Sequence, residues 1–161
     1  MEAAASLAPE EVVSEKAAKV KIDVTISRIQ AKETVPLREK VLWPGQPEMC
    51  ILPEDEAPHA IHLGAFLGEE LVGVLSLFLP QEGGDGRAQY RKVAVDQDRQ
   101  RCGIGSKLVL AAIEAAREDG ASVVWCDARA HQAGFYERLG FARGGDFEKY
   151  GKPYVKMALS L

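Results

Sequence analysis

The segment YRKVAVDQDRQRCGIGSKLVLAAIEAA, residues 90–116, limits the possible folds more than any other. A strand-like run ends at Val95, a charged turn follows, and Gly103-Ile-Gly105-Ser106 opens an amphipathic stretch. There Ile104, Leu108, Ala112, Ile113 and Ala116 recur at spacings of three and four, which predicts a helix over Gly103–Asp119 capped by Gly120. Ser122–Asp127 (SVVWCD) is a continuous apolar run, the pattern of a central strand covered on both faces. Strand, glycine turn, helix, strand demands a sheet with a helix packed on it. A helix N-terminus carries unpaired N–H groups and partial positive charge, and glycine lets an anion approach them without meeting a Cβ. Tight packing alone would also explain two glycines. No Gly-Lys-Ser/Thr follows, so the turn is not a Walker loop, and the missing third glycine fits a Rossmann turn poorly.

The rest of the chain reads as α+β. Val20–Ile26 alternates apolar and polar, predicting a strand with one buried face, and a helix is predicted over residues 31–42, ended by Pro44-Gly45. Residues 43–58 read as a long surface loop. His59–Phe66 and Glu70–Leu79 form a hairpin, and Ala88–Val95 is the next strand. After SVVWCD come a short helix over Gln132–Leu139, a strand over Phe141–Phe147, a Gly151-Lys-Pro153 turn and a last strand over Tyr154–Leu161. Residues 1–19 are expected to be a flexible tail, and residues 20–161 a single domain.

Composition closes several routes. The formal net charge is -4 and no Lys/Arg block suggests a nucleic-acid footprint, so no nucleic acid is expected as partner. Three cysteines without a C-x-x-C pair give neither a disulfide framework nor a zinc site, and no metal is expected. No apolar run approaches the ~20 residues of a membrane span, and residues 1–19 lack the apolar core of a signal peptide. A cytoplasmic location, or a nuclear one, is expected.

Gln100-Arg-Cys-Gly103-Ile-Gly105, following a strand that ends VAVD, resembles the Q/R-x-x-G-x-G/A signature of the GNAT superfamily of acyl-CoA-dependent N-acetyltransferases. Further on, Gly134-Phe-Tyr136-Glu-Arg-Leu-Gly140-Phe141 resembles that superfamily's second signature. The resemblance spans roughly residues 20–161. It implies the GNAT fold: a mixed sheet of about seven strands flanked by helices, the fourth and fifth strands splayed. It also implies acetyl-CoA as co-substrate. The pyrophosphate would lie on the amides of Arg101, Cys102, Gly103, Ile104, Gly105 and Ser106, and the pantetheine arm along Val93, Ala94 and Val95. Ser106 could equally cap the helix with its side chain. A homodimer is a further expectation from the resemblance.

Acetyl transfer to an amine requires loss of the amine proton, a donor for the developing oxyanion and a proton for the departing thiolate. A backbone N–H near Val93 could serve the oxyanion. The resemblance puts Tyr136 at the general-acid position; the competing reading is a core aromatic. His62, on the second strand, is the candidate base or a structural histidine. Asp127 is a contact for the acceptor amine or a cap for the following helix. Arg129 stands where many members carry asparagine, and would bind a CoA phosphate or pair with an acid.

The C-terminal segment Gly151-Lys-Pro153-Tyr154 to Met157 resembles a GNAT subgroup with histidine at the Tyr154 position, which makes Glu148, Tyr150 and Tyr154 acceptor-pocket candidates. The expected activity is direct transfer from acetyl-CoA, in a ternary complex, to a primary amine of a small molecule such as the amino sugar glucosamine. Acetylation of a peptide or protein N-terminus or lysine is the alternative, and a catalytically silent acyl-CoA-binding module is a third reading.

Overall fold

The structure is a computed structural model that describes residues 20–161; the tail expected at 1–19 lies outside the described residues. Seven strands form one sheet: β1 Thr25–Ile29, β2 Ala60–Leu67, β3 Glu70–Phe78, β4 Arg87–Val95, β5 Val123–Arg129, β6 Ala142–Lys149 and β7 Lys152–Ser160. Their spatial order is β1-β2-β3-β4-β5-β7-β6, antiparallel throughout except for the β4–β5 pair. Helix α1 (Val35–Leu37) lies between a 3-10 turn, Ala31–Thr34, and a π-helical turn, Arg38–Leu42. Helix α2 (Ile104–Glu118) crosses from β4 to β5, and α3 (Ala133–Arg138) joins β5 to β6. The order of strands and helices is the one the sequence predicts.

The parallel junction sets the architecture. β4 and β5 pair only from Arg87↔Val123 to Gln89↔Trp125 and then separate, so the fourth and fifth strands are splayed as expected. On its other side β4 pairs with β3, but Val74↔Ala94 is followed by Ser76↔Arg91. Lys92 and Val93 therefore face Leu75 alone, a bulge in which Lys92 adopts φ 61°. The apolar stripe of α2 packs on the sheet: Ile104, Leu108, Ala112 and Ala116 are buried with Val72, Val93, Val95 and Val124 in one core.

The expected helix over 31–42 is broken into a 3-10 turn, α1 and a π turn, and three further differences from the sequence reading are informative. The first strand is Thr25–Ile29, because the antiparallel partner runs Thr25↔Phe66 to Ile29↔His62. Residues 20–24 instead run beside the glycine loop, where the Ile22 N–H donates to the Cys102 carbonyl. β5 is not covered on both faces: Val124, Cys126 and Ala128 are buried while Val123, Trp125, Asp127 and Arg129 remain partly open. Past the last β4–β5 pair, Asp127 and Arg129 face the cleft that the splay opens. The last turn is Tyr150-Gly151, both at positive φ (54° and 71°), between paired Lys149 and Lys152. This is the two-residue hairpin geometry that matches strand twist. Pro153 belongs to β7, paired with Glu148 beyond the reach of β5, so its missing N–H costs no ladder bond there.

The 43–58 loop is anchored rather than simply superficial. Arg38, fully buried, pairs with Asp55 at 2.7 Å and also donates to the Cys50 carbonyl and the Ser76 hydroxyl. Asp55 additionally accepts the Leu52 N–H. One guanidinium thus ties the first helical segment to both the loop and β3.

Candidate functional site

The glycine loop forms its cradle by splitting side chains from backbone. Cys102 and Ile104 are buried and pin the loop to the core, while the residues preceding each, Arg101 (φ 63°) and Gly103 (φ 87°), turn left-handed. Gly103 is the N-cap of α2, and no side chain caps the helix there. Ser106 lies in the first turn of α2, two residues past its first residue, and is not the N-cap. First-turn N–H groups in this arrangement present a site for an anion. Gln100 donates from Nε2 to the Val95 carbonyl at 2.9 Å and fixes the loop to the end of β4. Arg99 is engaged with Asp96 and Glu70, leaving Arg101, exposed, as the loop's own cation.

Val93, Ala94 and Val95 are buried by side chain and pair with β3 through Val74↔Ala94 and Gly73↔Val95. Their edge toward β5 lies past the last β4–β5 pair. An extended arm can lie against such an edge like an added strand. The loop and edge thus suit a pyrophosphate followed by an extended chain. Valine at Gly103 tests the loop: its Cβ would have ordinary contact with the Lys21 stem at 3.6 Å, so the fold should survive. The left-handed φ would strain it by ~1–2 kcal/mol, and relaxing that strain turns the amides away. Acetyl-CoA affinity should fall about tenfold in calorimetric titration; unchanged affinity in a folded Gly103→Val protein would remove the loop from the site.

Beyond the splay lies a cleft of about 400 Å³. Its walls are residues 41–46 after α1, Gln89–Lys92 of β4, Asp127 and Arg129 of β5, and Lys149 to Tyr154 of the β6–β7 hairpin. Trp43 meets Tyr150 edge-on with centroids 5.1 Å apart, joining the two walls across the rim. Tyr154 stacks on Phe147 at 5.6 Å and carries the Arg129 guanidinium over its ring at 5.7 Å. Asp127 pairs with Lys156 at 2.9 Å from mid-strand and caps no helix.

At the base of the splay Tyr90 of β4 and Cys126 of β5 face each other, the thiol donating to the Tyr90 hydroxyl at 3.3 Å. Tyr136 of α3 is fully buried against them, its ring 6.2 Å from that of Tyr90, and its hydroxyl interacts with Tyr90 and Cys126. Burial, followed by the nearby Cys126, raises the Tyr136 hydroxyl well above the ordinary phenol range. Tyr90, which sequence reasoning missed, also lines the cleft and so connects Tyr136 to it. Its signal was only one aromatic in an alternating strand.

Other candidates separate. His62 does not line the cleft: its Nε2 donates to the Asp55 carbonyl and its Nδ1 meets the Ser76 hydroxyl, both at 2.7 Å. Both ring nitrogens are taken by the buried network around Arg38. Glu148 is exposed and forms no part of the cleft wall. Trp43, Arg91, Lys92 and Lys149 line it without having been anticipated.

Comparison with known proteins agrees with this geometry. Residues 26–141 match the Acetyltransferase (GNAT) family. The chain is 31% identical over 126 residues to YitI, an uncharacterized N-acetyltransferase of Bacillus subtilis, covering 75% of this chain and 84% of that one. An acyl-CoA N-acyltransferase from Pseudomonas aeruginosa superposes with a TM-score of 0.72 at 20% identity, over 86% of this chain and 100% of that one. A Bacillus subtilis acetyltransferase in complex with CoA gives a TM-score of 0.66 at 22% identity, over 86% and 99%. A splayed parallel pair, an uncapped glycine turn at a helix start and a family match over most of the domain lead to one assignment: the chain belongs to the GNAT family and is an acyl-CoA-dependent N-acetyltransferase.

Proposed function

We propose that the chain transfers the acetyl group of acetyl-CoA to the primary amine of a small molecule, an amino sugar such as glucosamine, by direct attack in a ternary complex. The observation that carries this reading is the cleft: about 400 Å³, roofed by Trp43 and Tyr150, and meeting the splay at Tyr90. That volume lies at the small end of ligand pockets and suits an acceptor of monosaccharide size. Aromatic rings with hydroxyl tips, Tyr150 and Tyr154, supply both an apolar face and hydrogen bonds for a sugar.

In this reading the amides of residues 101–106 hold the pyrophosphate and Val93–Val95 hold the extended arm. The bulge at Lys92–Val93 aims a backbone N–H at the developing oxyanion, and such donors contribute most when fixed in advance. Asp127, the carboxylate on the cleft wall, holds the acceptor ammonium, whose proton then leaves through water. Tyr136 keeps a proton throughout the neutral range and passes it to the departing sulfur, with Tyr90 as its hydrogen-bonded neighbour at the cleft.

An amine panel read by free-thiol release tests the proposal. Amino sugars should release CoA with matching formation of N-acetyl product. Turnover of peptides in place of small amines would overturn it.

A further inference from the structure

We infer that the acceptor carries an anionic group, a phosphate or carboxylate, beside its amine, and that the cations of the cleft bind it. This rests on the proposed small-amine reading and narrows it. The chain as a whole is acidic, with formal charge -4, which by itself would favour a cationic acceptor. The cleft has the opposite balance: Arg91, Lys92, Arg129, Lys149 and Lys152 against Asp127. Asp127 is shared with Lys156, which pairs with it at 2.9 Å. None of those five cations forms an ion pair among the described residues.

Lys92 and Lys149 meet aromatic faces, Trp43 at 5.4 Å and Tyr150 and Tyr154 at 5.4 and 5.7 Å, but no carboxylate pairs with them. Collecting cations in a half-buried space without a counter-charge is unfavourable. The Lys92 ammonium registers this directly. Burial first, then Arg91, Arg38 and Lys149, hold its pKa down at about 8. Lys149 is lowered in the same way by burial and by Arg91. Arg129 adds a second kind of signal, since its Nε is buried with no hydrogen-bond partner. A planar guanidinium with a spare N–H, held over the Tyr154 ring, is suited to an oxyanion. The glycine cradle lies outside this cleft wall, so the CoA pyrophosphate does not account for these charges, and Arg129, expected from the sequence at a CoA phosphate, is assigned here to the acceptor's anion.

The acceptor would then span the cleft, its amine at Asp127 and its anion toward Arg129, Lys149 and Lys152. Steric size and aromatic stacking would admit a neutral sugar equally well, so charge is the property that discriminates.

The test compares glucosamine, glucosamine phosphorylated on its primary hydroxyl, an amino acid of similar size, and spermidine, by calorimetric binding in the presence of CoA and by kcat/KM. The anionic amines should bind about tenfold or more tighter than glucosamine, the scale of one charge-assisted hydrogen bond, with spermidine weakest. The preference should shrink in high salt. The phosphate and carboxylate arms identify which anion is taken. Lys149→Gln with Lys152→Gln, checked by thermal melt for folding, should remove most of the preference and leave the KM for acetyl-CoA unchanged. Equal affinity for neutral and anionic amines would overturn the inference, as would a preference for spermidine, or a double variant whose loss falls on acetyl-CoA. Anion-selective binding without turnover of any amine would sustain it while refuting the small-amine activity.

Discussion

Tyr136→Phe should lower turnover by ~10²–10⁴-fold, the range for loss of a positioned general acid, while acetyl-CoA still binds. The ring packs against Tyr90, Phe135 and Phe141, and phenylalanine preserves those contacts. What disappears is the hydroxyl at the base of the splay. The loss should fall on kcat more than on the KM for acetyl-CoA, because the missing proton is needed only as the sulfur departs. A melting curve must accompany the assay, since a buried hydroxyl contributes ~1 kcal/mol to stability on its own. The pH dependence has a defined sign. Burial raises the Tyr136 pKa, so the phenol remains a donor through and above neutral pH, and no alkaline loss below about pH 10 should come from it. A fall centred near pH 8 would instead implicate Lys92, whose pKa is about 8. Equal kcat for mutant and wild type under chemistry-limited conditions would end the role of Tyr136.

Asp55→Ala should destabilise the protein by about 3–5 kcal/mol, the usual cost of stripping one partner from a buried ion pair. Arg38 is fully buried and its Nε already lacks a partner, so the guanidinium has no route to water once the carboxylate is gone. Leu52 N–H loses its acceptor at the same time. Urea unfolding should show a lower midpoint, and Asp55→Asn, which retains hydrogen bonds without charge, should lose less. Because Trp43 and Gln46 of the 43–58 loop line the cleft, the acceptor KM should rise in the surviving fraction of stable protein, with acetyl-CoA binding spared. A change under 1 kcal/mol, on the scale of an ordinary surface substitution, would mean that the network does not hold the loop.

The sequence made the glycine turn and α2 legible because their signals are local: periodicity, a cap and two glycines within a few residues. The splay was expected only through the resemblance, since no residue in Gln89 or Trp125 announces where pairing stops. β5 shows why local reading fails. An apolar run predicts two covered faces, yet separation from β4 leaves Asp127 and Arg129 facing a cleft. His62 illustrates the reverse. A histidine on a strand near a proposed site invites a catalytic role, but its partners Asp55 and Ser76 come from other elements and claim both nitrogens. The cationic wall was also illegible, because Arg91, Lys92, Arg129 and Lys149 converge from three strands and no two segments of sequence show that meeting.

Direct attack, rather than passage of the acetyl group through the enzyme, is the centre of this account. Cys126 is the nucleophile best placed to contradict it, beside Tyr90 and Tyr136 at the base of the splay. Burial pushes its thiol up to about 12, so it stays protonated and poorly nucleophilic at neutral pH. Initial rates measured over a grid of acetyl-CoA and amine concentrations distinguish the two routes. Intersecting double-reciprocal lines, with no acetyl group on the protein in mass spectra after incubation with acetyl-CoA alone, are the predicted result. Parallel lines together with an acetylated Cys126 peptide would contradict the account.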